Sequence, residues 1–229
     1  MGVQNKDGKD MKIQTIIKKA LTSKKPTLLD CFSGMGGVSD GFALEGFDVT
    51  GVDIEDAPNK LGYKHRFIQA DILDLRGEDF RGYDVVWGSP PCRNFTQLPD
   101  HALRADGENW KWKNPKNPKE GIKVVNNFLQ FINDAKPKFW ILENVTGLAN
   151  YLNLKPRAYN AMILNGKRHV FYGNYPLFLL PRIMRAKRTI DYGGPLRSWH
   201  RAMIPLACSR AFAVACRDAL LACESEGER

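Results

Sequence analysis

The sequence predicts an α/β domain with a mostly parallel central sheet and helices on both faces. Three observations predict it. Short apolar runs, too short for helices, end abruptly in polar, glycine or proline residues. Stretches with helical apolar spacing lie between several of them. A glycine-rich turn joins the first run to a helical stretch, as a strand-to-helix connection requires. The 229 residues, 43% hydrophobic and 26% charged, suffice for one full core or for a domain with a small appendage.

Each element follows in order. Residues 1–10 are polar and read as a flexible tail. Ile13, Ile16, Ile17, Ala20 and Leu21 then fall on one helix face. Lys18, Lys19, Lys24 and Lys25 flank that face, and Pro26 ends it. TLLDCFSGMGG reads as a buried strand entering the glycine turn, with a helix over 38–44 stopped by Gly46. A second strand is expected over 48–54 and a third over 67–69, before a turn at Asp71. YDVVWG forms a fourth, ending at Gly88 before two prolines. Residues 93–120, rich in Asn, Lys, Pro and Trp, read as a long loop. Ile122, Val125, Leu129 and Ile132 mark an amphipathic helix, and 138–145 a fifth strand. Parallel sheets bind ligands beyond the carboxyl ends of their strands. The polar residues there are Asp30, Ser33, Gly34, Asp53, Asp71, Pro91, Cys92, Glu143 and Asn144.

Composition narrows the function. No run approaches the ~20 apolar residues of a membrane helix, and the polar N-terminus lacks a secretory signal. A cytoplasmic protein is expected, nucleoid-associated in a prokaryote or virus. Cys31, Cys92, Cys208, Cys216 and Cys223 are odd in number and scattered, which fits reduced thiols. No zinc-ligand spacing occurs, so no metal is expected. The chain carries a formal charge of +9. From 144 to 217 there are twelve basic residues against one acid, Asp191, while the rest holds 22 basic and 24 acidic residues. A positive excess confined to one segment suggests a polyanion, most simply nucleic acid.

Gly34, Gly36 and Gly37 in the turn permit close backbone approach to a ligand. Asp53 follows Gly34 by 19 residues, the interval of an acid that accepts from ribose hydroxyls. Cys92, after Ser89-Pro90-Pro91, reads as a partly exposed nucleophile on a rigid turn. The other four cysteines read as core residues. Glu143 beside Cys92 on one rim becomes a candidate proton donor.

DCFSGMGG, GVDIED, ADILDL, GSPPC and WILENV, in this order, resemble the cytosine-C5 DNA methyltransferase family. KRHVFYGNYP (167–176) is similar to its basic catalytic motif, and RAMIPLACSRAFAVAC (201–216) to its terminal motif. The resemblance implies a Rossmann-like S-adenosylmethionine-dependent fold. It implies transfer of a methyl group to C5 of a cytosine flipped out of double-stranded DNA. By the same resemblance Cys92 adds to C6, Glu143 holds a proton at N3, and Arg168 supports the base, with His169 one residue away as the alternative. Asp30, Phe32, Ser33, Gly34, Gly36, Gly37 and Pro91 would line the S-adenosylmethionine pocket. Asp53 would take the ribose, with Ile54, Asp71 and Ile72 at the adenine.

Residues 11–176 would form the catalytic and cofactor-binding domain, 177–200 a short recognition segment, and 201–229 a helix returning to the domain. Three features depart from the family pattern. Arg93 replaces the usual Gln, Ala202 the usual Asn, and only the 24 residues 177–200 separate the two late motifs. Candidate nucleic-acid contacts are Arg93, the aromatic-basic stretch Trp110, Lys111 and Trp112, and Arg182, Arg185, Lys187 and Arg188. The stretch around Trp110 reads equally as a catalytic-loop insertion with solvated lysines. Methylation of RNA cytosine, compatible with Thr96, remains open as an alternative. So do methylation of an exocyclic amine, which Cys92 suits poorly, and a non-catalytic DNA-binding homologue.

Overall fold

The computed structural model describes residues 6–96, 101–103, 109–111, 117–154, 160–164, 167–177, 200 and 202–227. Helix α1 (Lys6–Leu21) leads into β1 (Thr27–Cys31), α2 (Gly37–Leu44), β2 (Asp48–Asp53), α3 (Ala57–Leu61), β3 (Arg66–Gln69) and β4 (Val85–Gly88). A small ribbon of β5 (His101–Leu103) and β6 (Asn109–Lys111) precedes α4 (Pro118–Ala135). Then come β7 (Phe139–Val145), β8 (Asn160–Leu164), β9 (Lys167–Asn174) and α5 (Leu206–Gly227).

Seven strands form one sheet in the order β3-β2-β1-β4-β7-β9-β8. The first five in that order are parallel, and β9 runs antiparallel to both β7 and β8. The predicted class holds: the fold is Rossmann-like. The chain winds outward from β1 to β3, then crosses back to β4 on the other side of β1. That reversal opens a crevice beyond the carboxyl ends of β1 and β4.

Alternation along the strands divides the core in two. Leu29, Cys31, Val86 and Leu142 face α1 and α4, meeting Ile17, Ala20, Val125 and Phe128. Leu28, Val85, Trp87 and Ile141 face α2 and α5, meeting Phe42, Cys208 and Phe212. Helix α5 lies tight on α2. A Cβ on Gly41 would fall 2.1 Å from Ser209 Oγ, so only glycine permits that crossing. Ser209 Oγ donates to the Gly37 carbonyl at 2.9 Å. At the far end Glu45 accepts from Arg210 and Arg217.

Several expectations need correction. The stretch 93–120 is more than a loop, since it holds a 3-10 turn over Cys92–Phe95 and the β5–β6 ribbon. Strands of three residues are too short to show an alternation that a sequence reading could detect. Helix α4 buries Phe128 and Phe131 beside Val125 and Ile132, while Leu129 is only half-buried. Cys223 is exposed, not core. The buried stretch of α5 ends at Leu220, so helical spacing carries Cys223 past its partner surface. Helix α1 begins at Lys6, inside the stretch read as a tail.

Candidate active site

The crevice is built from two turns. After β1 the chain enters left-handed conformations at Phe32 (φ 62°) and Gly36 (φ 86°). Such a φ is unusual for phenylalanine and persists only where surroundings enforce it. The enforcing contacts are visible. Asp53, at the end of β2, accepts from the Gly34 N–H at 2.9 Å through one carboxylate oxygen, and from the Glu55 N–H at 3.0 Å through the other. The 19-residue interval therefore has a local structural use. Burial pushes the Asp53 carboxyl upward, against the pull of those two N–H groups. Ile54, beside it, is 62% exposed and presents a bare apolar side chain at the rim.

Asp30 lies buried beneath this turn, facing α2. Ser39 Oγ donates to its carboxylate at 2.6 Å, and the Tyr63 hydroxyl donates in turn to Ser39 Oγ at 2.8 Å. Burial pushes Asp30 up to about 7, because the hydroxyl and backbone N–H of Ser39 do not repay its desolvation. Ser33 Oγ is also buried and has no hydrogen-bond partner among the described residues. Asp71 caps the next 3-10 turn by accepting from the Leu73 N–H at 3.0 Å. Ile72 is buried in the core, and Gly37 opens α2 against Met203 and Ile204, just before α5.

The second turn follows β4. Trp87 Nε1 donates to Ser89 Oγ at 2.9 Å. The buried Asn144 Nδ2 donates to the Pro90 carbonyl at 2.9 Å, and its oxygen accepts from the Val145 N–H. Since Gly88 pairs with Leu142 on the parallel neighbour β7, this bond locks the two strand ends together. Cys92 then lies two residues beyond Pro90, half-buried, and Glu143 one residue before Asn144. Pro91 is exposed at the tip, and Arg93 is half-buried.

Glu143 is buried and bonded to His169 Nδ1 at 2.6 Å. The register pairs His169 with Val145, which puts its ring diagonally across from Glu143 on the α2/α5 face. Arg168, the expected residue, lies one position earlier on β9, and its side chain is outside the described residues. The side chains of Trp110 and Lys111 on β6 are also outside them, as are Trp112, Arg182, Arg185, Lys187 and Arg188.

The thiols differ sharply. Burial pushes Cys31 well above the usual range and Cys208 and Cys216 up to about 12, with Glu143 adding to the effect at Cys208. These stay protonated at neutral pH and are unsuited to attack. Cys92 is the half-buried thiol at the crevice. No group of metal-ligating side chains occurs among the described residues, and no described helix is long and apolar enough to cross a membrane.

A Rossmann-like sheet with a glycine turn after β1 and a cysteine turn after β4 defines an α/β protein built for a ligand at its switch point. The chain belongs to the family of C-5 cytosine-specific DNA methylases, whose model matches residues 27–175. It is 30% identical over 137 residues to the type II methyltransferase M.XorII of Xanthomonas oryzae pv. oryzae, covering 54% of this chain and 29% of that one. It is 27% identical over 130 residues to M.FnuDI of Fusobacterium nucleatum, covering 55% and 34%. The match thus spans about a third of the length of these curated relatives. A solved DNMT2 variant from Spodoptera frugiperda is 18% identical, with TM-score 0.38, covering 66% of this chain and 52% of that one.

Proposed function

We propose that this chain transfers a methyl group from S-adenosylmethionine to C5 of a cytosine flipped out of DNA, through a covalent adduct with Cys92. The observation that carries the reading is the Asn144–Pro90 bond, which fastens the Cys92 turn to the strand end bearing Glu143. Its family and the type II methyltransferases it resembles support DNA as the substrate.

Cytosine C5 is a weak nucleophile. The Cys92 thiolate forms a bond to C6, the C5–C6 π pair moves between C5 and C4, and the C4–N3 π pair takes a proton from Glu143. When bound, the cofactor supplies the electrophilic methyl group that C5 attacks. Loss of the C5 proton to a base then expels Cys92, and N3 returns its proton to Glu143. Pro90 and Pro91 stiffen the nucleophile's turn, which favours a near-attack geometry. His169, the alternative to Arg168 for that slot, is bonded to Glu143, which supports placing it beside the flipped base.

The first turn suits the cofactor. The Asp53 carboxylate has lone pairs left over from its two backbone bonds, enough for a ribose diol. Ile54 offers an apolar surface for an adenine ring. Ser33 Oγ is a buried polar atom whose partner a bound ligand would provide.

Incubation with cofactor and a duplex containing 5-fluorocytosine tests the reading, because the fluorine cannot leave as a proton and the adduct is trapped. The expected outcome is a protein–DNA species of the summed mass plus one transferred methyl group. It should be absent in Cys92→Ala, which loses methyl transfer by at least about a thousandfold. Methylation by Cys92→Ala at the normal rate would rule out the covalent route. Transfer to transfer RNA but not to duplex DNA would move the assignment to RNA.

A further inference from the structure

The sequence resemblance offers Arg168, or His169 one residue on, to support the flipped base. The residue that meets Glu143 is a histidine. An arginine next to a carboxylate is a fixed charge that holds the carboxylate ionised. A histidine can exchange a proton with it. The bond between Glu143 Oε1 and His169 Nδ1 is 2.6 Å long, and both side chains are only 9% exposed. At that length and burial the two groups share a short hydrogen bond shielded from solvent.

We infer that His169 is a positioning residue which, with Glu143, forms one proton-holding unit, and that this unit supplies the proton needed at cytosine N3. The inference rests on the function proposed above and deepens it. With one transferable proton the pair is neutral overall. That proton can reside on His169, leaving a carboxylate, or on the Glu143 oxygen aimed at the base while the ring keeps Nδ1–H bonded to Oε1. As C6 takes the thiolate, N3 takes the proton from Glu143. When the adduct breaks down the proton returns, so the pair begins and ends each turnover in the same state. Once the pair has lost the proton it carries a net negative charge and cannot stabilise the adduct.

The surroundings suit this role. Helix α5 brings Cys208 toward Glu143, a thiol that burial keeps neutral. The 3-10 turn that begins at Cys92 packs against β7. Met162, opposite His169 in the β8–β9 pairing, does not titrate. Cys92 gains reactivity as pH rises, so its limb of a rate profile has the opposite sign to that of the pair.

The test combines two readouts on the full chain. In single-turnover methyl transfer, the wild-type rate should fall about tenfold per pH unit on its alkaline side. His169→Gln keeps an N–H that can reach Glu143 but cannot carry a proton. Its alkaline limb should move to lower pH by about one unit or more, with KM for DNA and cofactor changed less than about twofold. Separately, 15N NMR of the imidazole, assigned by its loss in His169→Gln, should show that Glu143→Gln shifts the His169 titration by about one unit or more. An unmoved limb in His169→Gln, or an unmoved His169 titration in Glu143→Gln, overturns the inference. If the wild type transfers no methyl group to any nucleic acid, the proposed function fails, and the NMR coupling decides the pair by itself. If His169→Gln does not fold, the signal missing from His169→Ala supplies the assignment.

Discussion

The two turns that meet at the crevice are fixed by opposite means. After β1 the turn bends through left-handed backbone, and carboxylates hold it: Asp53 on the Gly34 N–H, and Asp30 through Ser39. After β4 the turn bends at prolines, and neutral groups hold it: Asn144 on the Pro90 carbonyl and Trp87 on Ser89. An acid-held turn changes with pH, whereas one held by an amide and an indole does not. The division suits the chemistry, because on the second turn titration is left to the groups that move protons.

The largest test brings a titrating group into the second turn. Asn144→Asp keeps an acceptor for the Val145 N–H but sets a buried carboxylate against the Pro90 carbonyl. A loss of about 3 kcal/mol in urea unfolding is expected near pH 8. Much of it should return near about pH 5, where a protonated carboxyl can donate to that carbonyl. Methyl transfer should fall with kcat rather than with cofactor KM. Equal losses at both pH values would mean that the amide does no more than fill space.

The next test removes titration from the first turn. Asp30 sits at about 7 in the folded protein, above its ordinary value, because of burial. A raised carboxyl contributes stability that is complete below its unfolded value and is lost as pH rises through the folded one. The unliganded wild type should therefore weaken between about pH 4 and pH 7. Asp30→Asn still accepts from Ser39 without carrying charge. It should lack that component and be the more stable of the two by about 2 kcal/mol near pH 8. Parallel pH curves for the two proteins would show that Asp30 ionises at no cost in the fold.

Much of this division was legible in the sequence. Glycines after one apolar run and prolines after another identify the two turns, and both depend on local chemistry. The partners did not show, because they come from pairing between distant segments. His169 meets Glu143 only through the β7–β9 register, and a one-residue change of register would present the other face of β9. Asn144 reaches Pro90 only because β4 and β7 are neighbours. The strain at Phe32 was hidden for another reason. Side-chain type predicts where glycine is needed, not where the fold forces another residue into glycine's conformation. Cys223 illustrates a third limit, since spacing defines a helix face but not how far along it the partner extends.

The smallest test separates the turns by kinetic signature. Gly36, the N-cap of α2, has φ 86° and ψ 21°. Alanine there would cost roughly 1 kcal/mol from backbone alone. Its Cβ would also meet the Tyr63 ring at 3.1 and 3.2 Å, closer than ordinary contact. Tyr63 has little freedom to withdraw, because its hydroxyl is bonded to Ser39 and the serine to Asp30. The strain should therefore pass into the acid-held turn and not into the one carrying Cys92. Gly36→Ala is expected to raise the cofactor KM by about tenfold while kcat at saturating cofactor stays within about threefold. Asn144→Asp should show the reverse. If Gly36→Ala lowers kcat as strongly as it raises KM, the turns act as one rigid body, and their separate anchoring has no functional meaning.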